Sequence, residues 1–378
     1  MSKFDKIRPF YDVEVNEALH KVADHPMMKA MMSFTFPELE EKVWIEQLKR
    51  THSIRDFQCN FIYKSVKKVL ENSSDGLTTS GFDKLDKHTP YLFISNHRDI
   101  ILDTSLLNTC LFENGLVMTA SAIGDNLVKK SFLHVLSKLN RNFLVQRGLA
   151  PRELLQSSKL MSEYIGQLIL RENRSVWIAQ REGRTKDGND ATHPGVLKML
   201  SMASDEENLM EYFKKLKIVP VSISYEYDPT DALKMPQLMA EANDEVYIKD
   251  KNEDFMTLLS GIMGQKKRIH IHVGDVLDTE LDAISAEFDN SNKQIQALAQ
   301  TIDDSILNSY KLWPTNYIAY DLLNKTPKYS HLYTEKEKSL FERRLEIRID
   351  ENNPVEMQGF LAMYANPVVN KSKYENAI

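Results

Sequence analysis

Between residues 81 and 280 the chain alternates short apolar runs with stretches of helical periodicity, and this alternation constrains the fold more than any other feature. Residues 152–171 and 195–203 are two of the helical stretches. Apolar strands separated by helices predict an α/β fold, in which a mostly parallel central sheet is covered by helices. The predicted strands are YLFISN (91–96), GLVMTAS (115–121), NFLVQR (142–147), SVWIAQ (175–180), KIVPVSISY (217–225) and RIHIHVG (268–274).

Helical patterns flank this alternating region on both sides. Apolar residues recur at spacings of three and four over 14–22 and 37–48, and helix is predicted again over 284–312 and over the charged stretch 334–349. The pattern predicts an N-terminal helical region (1–80), an α/β domain (81–280) and a C-terminal helical region (281–378). The run RIHIHVG alternates apolar and polar residues, which is typical of a half-exposed strand near a sheet edge.

The composition excludes several classes of protein. Of the 378 residues, 42% are hydrophobic and 27% charged, the mix of a globular protein with a sizeable core. The net charge of −6 argues against a dedicated nucleic-acid binder. The N-terminus lacks the apolar run of a signal peptide, and polar residues interrupt the longest apolar stretch (100–112), so no membrane span is predicted. Two isolated cysteines, Cys59 and Cys110, favour a reducing, cytoplasmic location.

One histidine stands where an α/β sheet usually binds its ligand. His97 directly follows the predicted strand 91–96 and precedes a helical stretch, a place beyond the carboxyl end of a strand. Imidazole suits proton transfer near neutrality, and a carboxylate on its second nitrogen fixes the tautomer. Asp99 and Asp103 are the carboxylates within two helical turns.

Basic residues follow two other predicted strands. Arg147 ends the strand 142–147, and the segment WIAQREGRTKDG places a charged cluster after the strand 175–180. Strand ends of a parallel sheet share one edge, so these groups are expected to converge near His97. Guanidinium groups match phosphate with parallel hydrogen bonds, which indicates a phosphate-bearing ligand. The expected binding residues are Arg147, Arg181, Glu182, Gly183, Arg184 and Lys186.

Four segments in order resemble the blocks of the glycerolipid acyltransferase family, which carries the PlsC-type domain. They are NHRDIILD (96–103), NFLVQRG (142–148), REGRTKDG (181–188) and IVPVSI (218–223), and RIHIHVGDVL (268–277) is similar to the strand that follows them. The resemblance implies a glycerol-phosphate acyltransferase-like fold. It also implies an enzyme that moves a fatty acyl group from coenzyme A or acyl-carrier protein to a hydroxyl of glycerol-3-phosphate or 1-acylglycerol-3-phosphate, in phospholipid biosynthesis.

The resemblance also implies roles for individual residues. His97 would be the general base and Asp103 its partner, with Asp99 as the alternate; Asn96 and Pro220 would lie in the acyl or oxyanion region. No cofactor or metal is implied, since the acyl thioester is a co-substrate and no serine or cysteine nucleophile is required. Acyl-carrier protein is an expected partner. A lipid product leaves open a peripheral contact with the inner face of a membrane.

Two departures from the family pattern bear on the site. The family has four residues between histidine and aspartate, whereas five separate His97 from Asp103 here, so a bulge or tighter turn is needed to keep the contact. The third block also lacks one residue, because Arg184 directly follows Glu182-Gly183. This shortened form is more similar to the glycerol-3-phosphate branch than to the lysophosphatidate branch.

Other enzyme classes that share single features with this chain are excluded because their remaining motifs are missing. His-Arg-Asp at 97–99 also begins a kinase catalytic loop, but Asp-Phe-Gly and the glycine-rich loop are missing, as is the Gly-x-Ser-x-Gly of hydrolases. His270 and His272 share a strand face without a third metal ligand, so a polar face is the prediction. The methionine-rich segment 25–34 is interpreted as helix core, with membrane contact as the alternative. O-acylation of a lyso-aminolipid, and a non-catalytic lipid- or carrier-binding module, remain alternative functions.

Overall fold

A seven-stranded sheet forms the centre of the molecule. The computed structural model describes residues 2–375. The sheet has the order β1-β7-β6-β2-β5-β3-β4, and each neighbouring pair is parallel except β6 and β7. The predicted mostly parallel α/β fold is therefore confirmed. The strands are β1 (Ser74–Ser80), β2 (Leu92–Ser95), β3 (Thr119–Gly124), β4 (Asn142–Val145), β5 (Ser175–Ala179), β6 (Ile218–Tyr225) and β7 (Lys267–Val273).

Helices precede, connect and follow the strands. The first five precede the sheet, the next seven connect its strands and the last five follow it. They are α1 (Asp12–Val22), α2 (Pro26–Thr35), α3 (Glu41–Lys49), α4 (Ile54–Phe57), α5 (Tyr63–Ser73), α6 (Leu102–Glu113), α7 (Ser131–Leu139), α8 (Pro151–Arg171), α9 (Pro194–Ser201), α10 (Leu209–Leu216), α11 (Asp231–Ala242), α12 (Glu253–Met263), α13 (Asp278–Glu287), α14 (Ser291–Ser309), α15 (Pro314–Asn324), α16 (Glu335–Arg348) and α17 (Pro354–Glu375).

Alternate residues of the central strands point into two separate cores. On β2, Leu92 and Ile94 pack against α8, α9, α10, α13 and α14, whereas Phe93 packs against α5 and α6 on the opposite face. On β5, Val176 faces the first core and Trp177 the second. A strand buried on both faces must be apolar at every position, which explains why β2 reads as a continuous apolar run.

The flanking helices build two further cores. Helices α1 to α4 and α7 share an N-terminal core, in which Met28 and Met32 of the methionine-rich segment are fully buried. Helices α11, α15, α16 and α17 share a C-terminal core. Neither flank is separate from the sheet, because Phe4 and α14 belong to the core beside β2. The segment 74–80, at the end of the predicted N-terminal region (1–80), lies in a Ser-, Asp- and Gly-rich stretch predicted as a connection followed by a short extended piece, and it supplies an edge strand.

Three local features differ from the predicted elements. Strand β3 begins four residues later than expected, at Thr119. The helix predicted over 284–312 is two helices, because Phe288 is extended and Asn290 caps α14 through its side chain. Strand β7 lies one strand in from the edge, as its alternating pattern indicated. Of the helices formed by residues 2–375, none is long and apolar enough to span a membrane.

Candidate active site

The candidate site lies at the carboxyl edge of the five strands that run in the same direction. The connection 96–101 joins the end of β2 to α6 and carries His97. Register places Ile94 beside Ile178 of β5 on one side and Pro220 of β6 on the other, so the connection that follows β5 leaves the sheet beside His97. This is the edge at which open α/β sheets bind ligands.

His97 and Asp103 form a direct pair. The distance between His97 Nδ1 and Asp103 Oδ2 is 2.8 Å, and the side chain of Asp103 is completely buried whereas that of His97 is 14% exposed. Asp103 Oδ1 accepts a hydrogen bond of 2.9 Å from the Tyr225 hydroxyl. A carboxylate on Nδ1 leaves Nε2 as the nitrogen that can accept a proton. The pair can therefore act as a base that faces the partly open side of the site.

The backbone before α6 accommodates the additional residue between His97 and Asp103. Asp103 lies in the first turn of α6, and its Oδ2 accepts main-chain N–H bonds from Arg98 (2.7 Å) and Asp99 (3.0 Å). Asp99 Oδ1 in turn accepts the N–H groups of Ile101 and Leu102, at 2.9 and 2.7 Å. The turn folded by these four bonds brings Asp103 to His97. Asp99, the alternate partner, instead accepts the N–H groups of the two residues at the start of α6.

The side chain of Asp99 is also buried. Desolvation, and then the neighbouring Asp103 carboxylate, raise the pKa of Asp99 above its usual range. Its Oδ2 lies against α12, since a Cβ added at Gly261 would be 2.1 Å from that oxygen. Any larger side chain at this position would have to displace the Asp99 carboxylate, so α12 approaches the connection that carries His97 most closely at Gly261.

Asn96 and Pro220 lie within the sheet. Asn96 Nδ2 donates to the carbonyl of Ile223 at 3.0 Å, and its Oδ1 accepts the N–H of the same residue at 2.8 Å. Its buried amide thus continues the β2–β6 ladder for one more residue. Pro220 lies opposite Ile94, and its carbonyl accepts the N–H of Gly274 at 2.9 Å. These contacts hold the strand end beneath His97, and the expected contact of both residues with the acyl group stays a prediction.

Trp177 supports His97 from β5. The two rings meet edge to face, with centroids 5.4 Å apart and an interplanar angle of 69°. The indole Nε1 donates to the Ser95 hydroxyl at 2.9 Å, which fixes the indole against the end of β2. The sequence predicted Trp177 only as part of a strand, and no pattern in the chain indicates its contact with the His97 ring.

The connection after β5 reaches His97 through its main chain. The N–H of Thr185 donates to the His97 carbonyl at 3.1 Å. Gly183 has a φ of +72°, a conformation that glycine adopts without strain. Arg181 is half-buried and Glu182 exposed. The Thr185 hydrogen bond joins the connection after β5 to the β2–α6 connection. The third block is therefore held against the block that contains His97 and Asp103.

The predicted cationic residues lie in two groups. Arg147, after β4, forms an ion pair with Glu182. Arg184 donates from Nη1 to the Thr230 hydroxyl at 3.2 Å, beside the buried pair of Lys234 and Asp228.

Lys186 belongs to the second cationic group. Burial, followed by the charges of Arg184 and Lys234, lowers the pKa of Lys186 to about 7. A concentration of buried positive charge favours an anionic ligand.

Other residues that the sequence singled out for nucleophile or metal chemistry lie outside the His97–Asp103 pair. Burial raises the pKa of the Cys110 thiol to about 12, so its thiolate is not accessible near neutrality. His270 and His272 hydrogen-bond the hydroxyls of Thr78 and Ser80 on β1, as the polar-face interpretation expected. Within residues 2–375, no cluster of three or more histidine, cysteine and acidic side chains is arranged to hold a metal ion.

One protein-family model covers the segment that contains the four blocks. Residues 76–224 match the family model described as acyltransferase. No curated protein matches the chain. Among solved structures, the chain is similar to the crystal structure of the 1-acyl-sn-glycerophosphate (LPA) acyltransferase PlsC from Thermotoga maritima, with 11% identity, a TM-score of 0.35, and coverage of 78% of this chain and 95% of that chain. The matched residues 76–224 hold all four blocks and the His97–Asp103 pair, so the similarity to the acyltransferase family covers the whole candidate site.

Proposed function

We propose that this acyltransferase moves a fatty acyl group from a thioester of coenzyme A or acyl-carrier protein to a hydroxyl of glycerol-3-phosphate or 1-acylglycerol-3-phosphate. The observation that carries the proposal is the 2.8 Å contact between His97 Nδ1 and the buried Asp103 carboxylate, at an edge that also bears Arg147, Arg184 and Lys186.

The proposed chemistry needs only one base. Nε2 of His97 takes the proton of the acceptor hydroxyl while the hydroxyl oxygen attacks the thioester carbonyl. Collapse of the tetrahedral intermediate breaks the carbon–sulfur bond, and the thiolate receives the proton from the imidazolium. Asp103 stabilises that imidazolium, because a buried carboxylate acts in a medium of low dielectric. A positioned base of this kind contributes about 10²- to 10⁴-fold to the rate.

The charges of the site support a phosphate ester as the acceptor. Arg184 and Lys186 lie on the connection whose Thr185 N–H bonds the His97 carbonyl, so their charges are fixed relative to the base. A zwitterionic lyso-aminolipid would need fewer cations, which makes it the second candidate. A module that binds thioesters without turnover is the candidate of a different class.

An acceptor screen with one acyl thioester separates these functions. Glycerol-3-phosphate, lysophosphatidate and a lyso-aminolipid are offered in turn, with released thiol and acylated product measured together. We expect turnover with a phosphate acceptor that His97→Ala reduces at least 10³-fold. His272→Gln is the matched control, since His272 is a half-buried histidine of the same sheet that bonds Ser80. Thioester binding without product would contradict the enzymatic proposal, and equal activity of His97→Ala would contradict the assignment of the base.

We also propose that the enzyme meets its lipid at the connection between β6 and β7. Val246 and Ile248 are 89% and 84% exposed, and Met256, Leu259 and Met263 share one exposed face of α12. The same helix adjoins the site, because Gly261 lies against Asp99. The methionine-rich α2, the alternative named from the sequence, buries its methionines in a core instead.

The charge of this connection indicates which interaction would bind it to a lipid surface. Residues 244–263 contain five acidic and two basic side chains, a net charge of −3, so attraction to anionic lipid is not expected to drive contact. Burial of one such apolar side chain is worth about 1.5–3 kcal/mol. In flotation with zwitterionic vesicles, we expect salt-insensitive binding that Met256→Ser/Met263→Ser weakens at least tenfold. Leu340→Ser/Ile347→Ser removes exposed apolar residues of α16 as the control, and equal loss with both pairs would contradict the assignment.

A further inference from the structure

A buried ion pair lies directly beside the base and has no part in the proposed proton transfer. Arg98 follows His97 in the chain, and its Nη2 contacts Asp190 Oδ2 on the connection after β5. Both side chains are more than nine-tenths buried, and the guanidinium lies 5.3 Å from the centre of the Tyr310 ring. A buried ion pair rarely stabilises a fold more than apolar residues of similar size would, so its presence calls for another reason.

The pair closes a ring of contacts around His97. The N–H of Arg98 donates to Asp103, the partner of the base, at 2.7 Å. The N–H of Thr185 donates to the His97 carbonyl, and the Thr185 hydroxyl donates to the carbonyl of Asn189, the neighbour of Asp190, at 2.9 Å. The connections after β2 and β5 are thus joined twice, once through Thr185 and once through the ion pair.

The geometry of the pair is not optimised for stability. Nε of Arg98 and Oδ1 of Asp190 have no hydrogen-bond partner among the described residues, so the two groups meet through one contact instead of two parallel ones. An unsatisfied buried polar atom costs free energy. A contact that is retained in spite of this cost favours a role in fixing one arrangement of the two connections.

The outer side of the β5 connection is held independently. A Cβ added at Gly188 would lie 2.2 Å from the carbonyl oxygen of Met363 in α17, and Asn366 donates to the carbonyl of Asp187 at 2.7 Å. Loss of the ion pair would therefore leave this connection attached to α17 and joined to the β2–α6 connection only by the Thr185 N–H bond.

We propose that Arg98 and Asp190 are positioning residues that fix the connection bearing Arg184 and Lys186 at one distance from His97. The inference rests on the proposed function, in which those cations hold the acceptor and His97 activates its hydroxyl. A displacement of about 1 Å between a base and its substrate can cost 10²-fold in rate. The ion pair thus affects catalysis only through the distance between His97 and the side chains of Arg184 and Lys186.

The double variant Arg98→Met/Asp190→Leu tests this role, because replacing both charges with apolar side chains avoids an isolated buried charge. We expect a folded protein with kcat/KM reduced about 10²-fold, the acceptor KM raised and the thioester KM unchanged. Arg8→Met/Glu14→Leu, which removes a partly buried pair near the N-terminus, is the matched control and should keep the kinetic constants. A double variant with kcat/KM within threefold of wild type would overturn the proposal.

Hydrogen exchange of the Thr185 amide provides a readout that does not depend on activity. We expect faster exchange in the double variant, because its acceptor, the His97 carbonyl, is no longer held in place. Unchanged exchange would overturn the proposal. If wild type transfers no acyl group, the proposed function fails and this exchange rate alone decides the positioning role. Should the double variant not fold, Asp190→Asn serves the same comparison.

Discussion

The substitution Asp103→Asn tests the partner of the base most directly. Oδ2 of Asp103 accepts three hydrogen bonds, from His97 Nδ1 and from the N–H groups of Arg98 and Asp99, while Oδ1 accepts one from Tyr225. An asparagine that places its oxygen at the Oδ2 position keeps the first three. Its amide nitrogen then faces the Tyr225 hydroxyl, which can rotate to accept. We therefore expect the variant to fold.

The expected effect on the rate follows from the loss of the charge. A hydrogen bond to a charged group is worth about 1.5–3 kcal/mol and one between neutral groups about 0.5–1.5 kcal/mol, a difference near 1–1.5 kcal/mol. Complete burial of Asp103 leaves no solvent screening, so the loss in the transition state, where the imidazolium forms, is larger. We expect kcat to fall about 10²-fold with little change in KM. The free energy of unfolding should fall by about 1–3 kcal/mol.

Asp99→Asn is the matched comparison, since the same chemical change is made four residues earlier. Asparagine caps helices about as well as aspartate, and its oxygen can accept the same N–H groups of Ile101 and Leu102. We expect kcat within threefold of wild type. Released thiol, measured under saturating acceptor, gives kcat for both variants. A crippled Asp99→Asn enzyme beside a mildly affected Asp103→Asn enzyme would refute the reasoning.

Three further predictions concern pH and backbone conformation. Because Lys186 has a pKa of about 7, its charge is lost as the pH rises; the acceptor KM should increase about tenfold from pH 6 to pH 8, but not in Lys186→Arg, whose guanidinium stays charged. Equal pH dependence in both enzymes would contradict this role. Burial raises the pKa of Asp303 to about 6, above that of an unfolded aspartate, so its contribution to stability is lost as the pH rises through 6. Asp303→Asn, which can still accept from Thr192, should stabilise the protein by about 2 kcal/mol at pH 8 and not at pH 4, as measured by thermal unfolding. In Gly188→Ala, alanine would have to adopt a φ of +80°, and its Cβ would lie 2.2 Å from the Met363 carbonyl oxygen. The free energy of unfolding, measured in urea, should therefore fall by about 2–3 kcal/mol, and an unchanged midpoint would contradict the contact.

The sequence by itself determined the fold class, and it placed His97, the proposed base, directly after a strand. Strands β2 and β5 are buried on both faces, which requires apolar residues throughout, and that local requirement is visible in the chain. Helix α8 was predicted within one residue because its periodicity is long and its N1 proline marks the start. His97 was located because it directly follows such a strand. Each strand and helix was recognised from residues that are neighbours in the chain, and the fold class followed from their order.

The sequence predicted Asp103 as the partner of His97 with Asp99 as the alternate, and only the tertiary structure showed which of the two carboxylates contacts the imidazole. The spacing in the chain favoured neither strongly, because five intervening residues can form several turns. The observed turn depends on the bonds that the two carboxylates make with main-chain N–H groups, and on the Tyr225 hydroxyl 122 residues away.

The contact of Arg98 with Asp190 likewise joins residues 92 positions apart. Contacts between residues so far apart in the chain depend on which strand ends lie side by side at one edge of the sheet. No periodicity in the sequence indicates that arrangement. The sequence thus specified which strands end at the site, while the packing of β2 between β5 and β6 decided which side chains touch there.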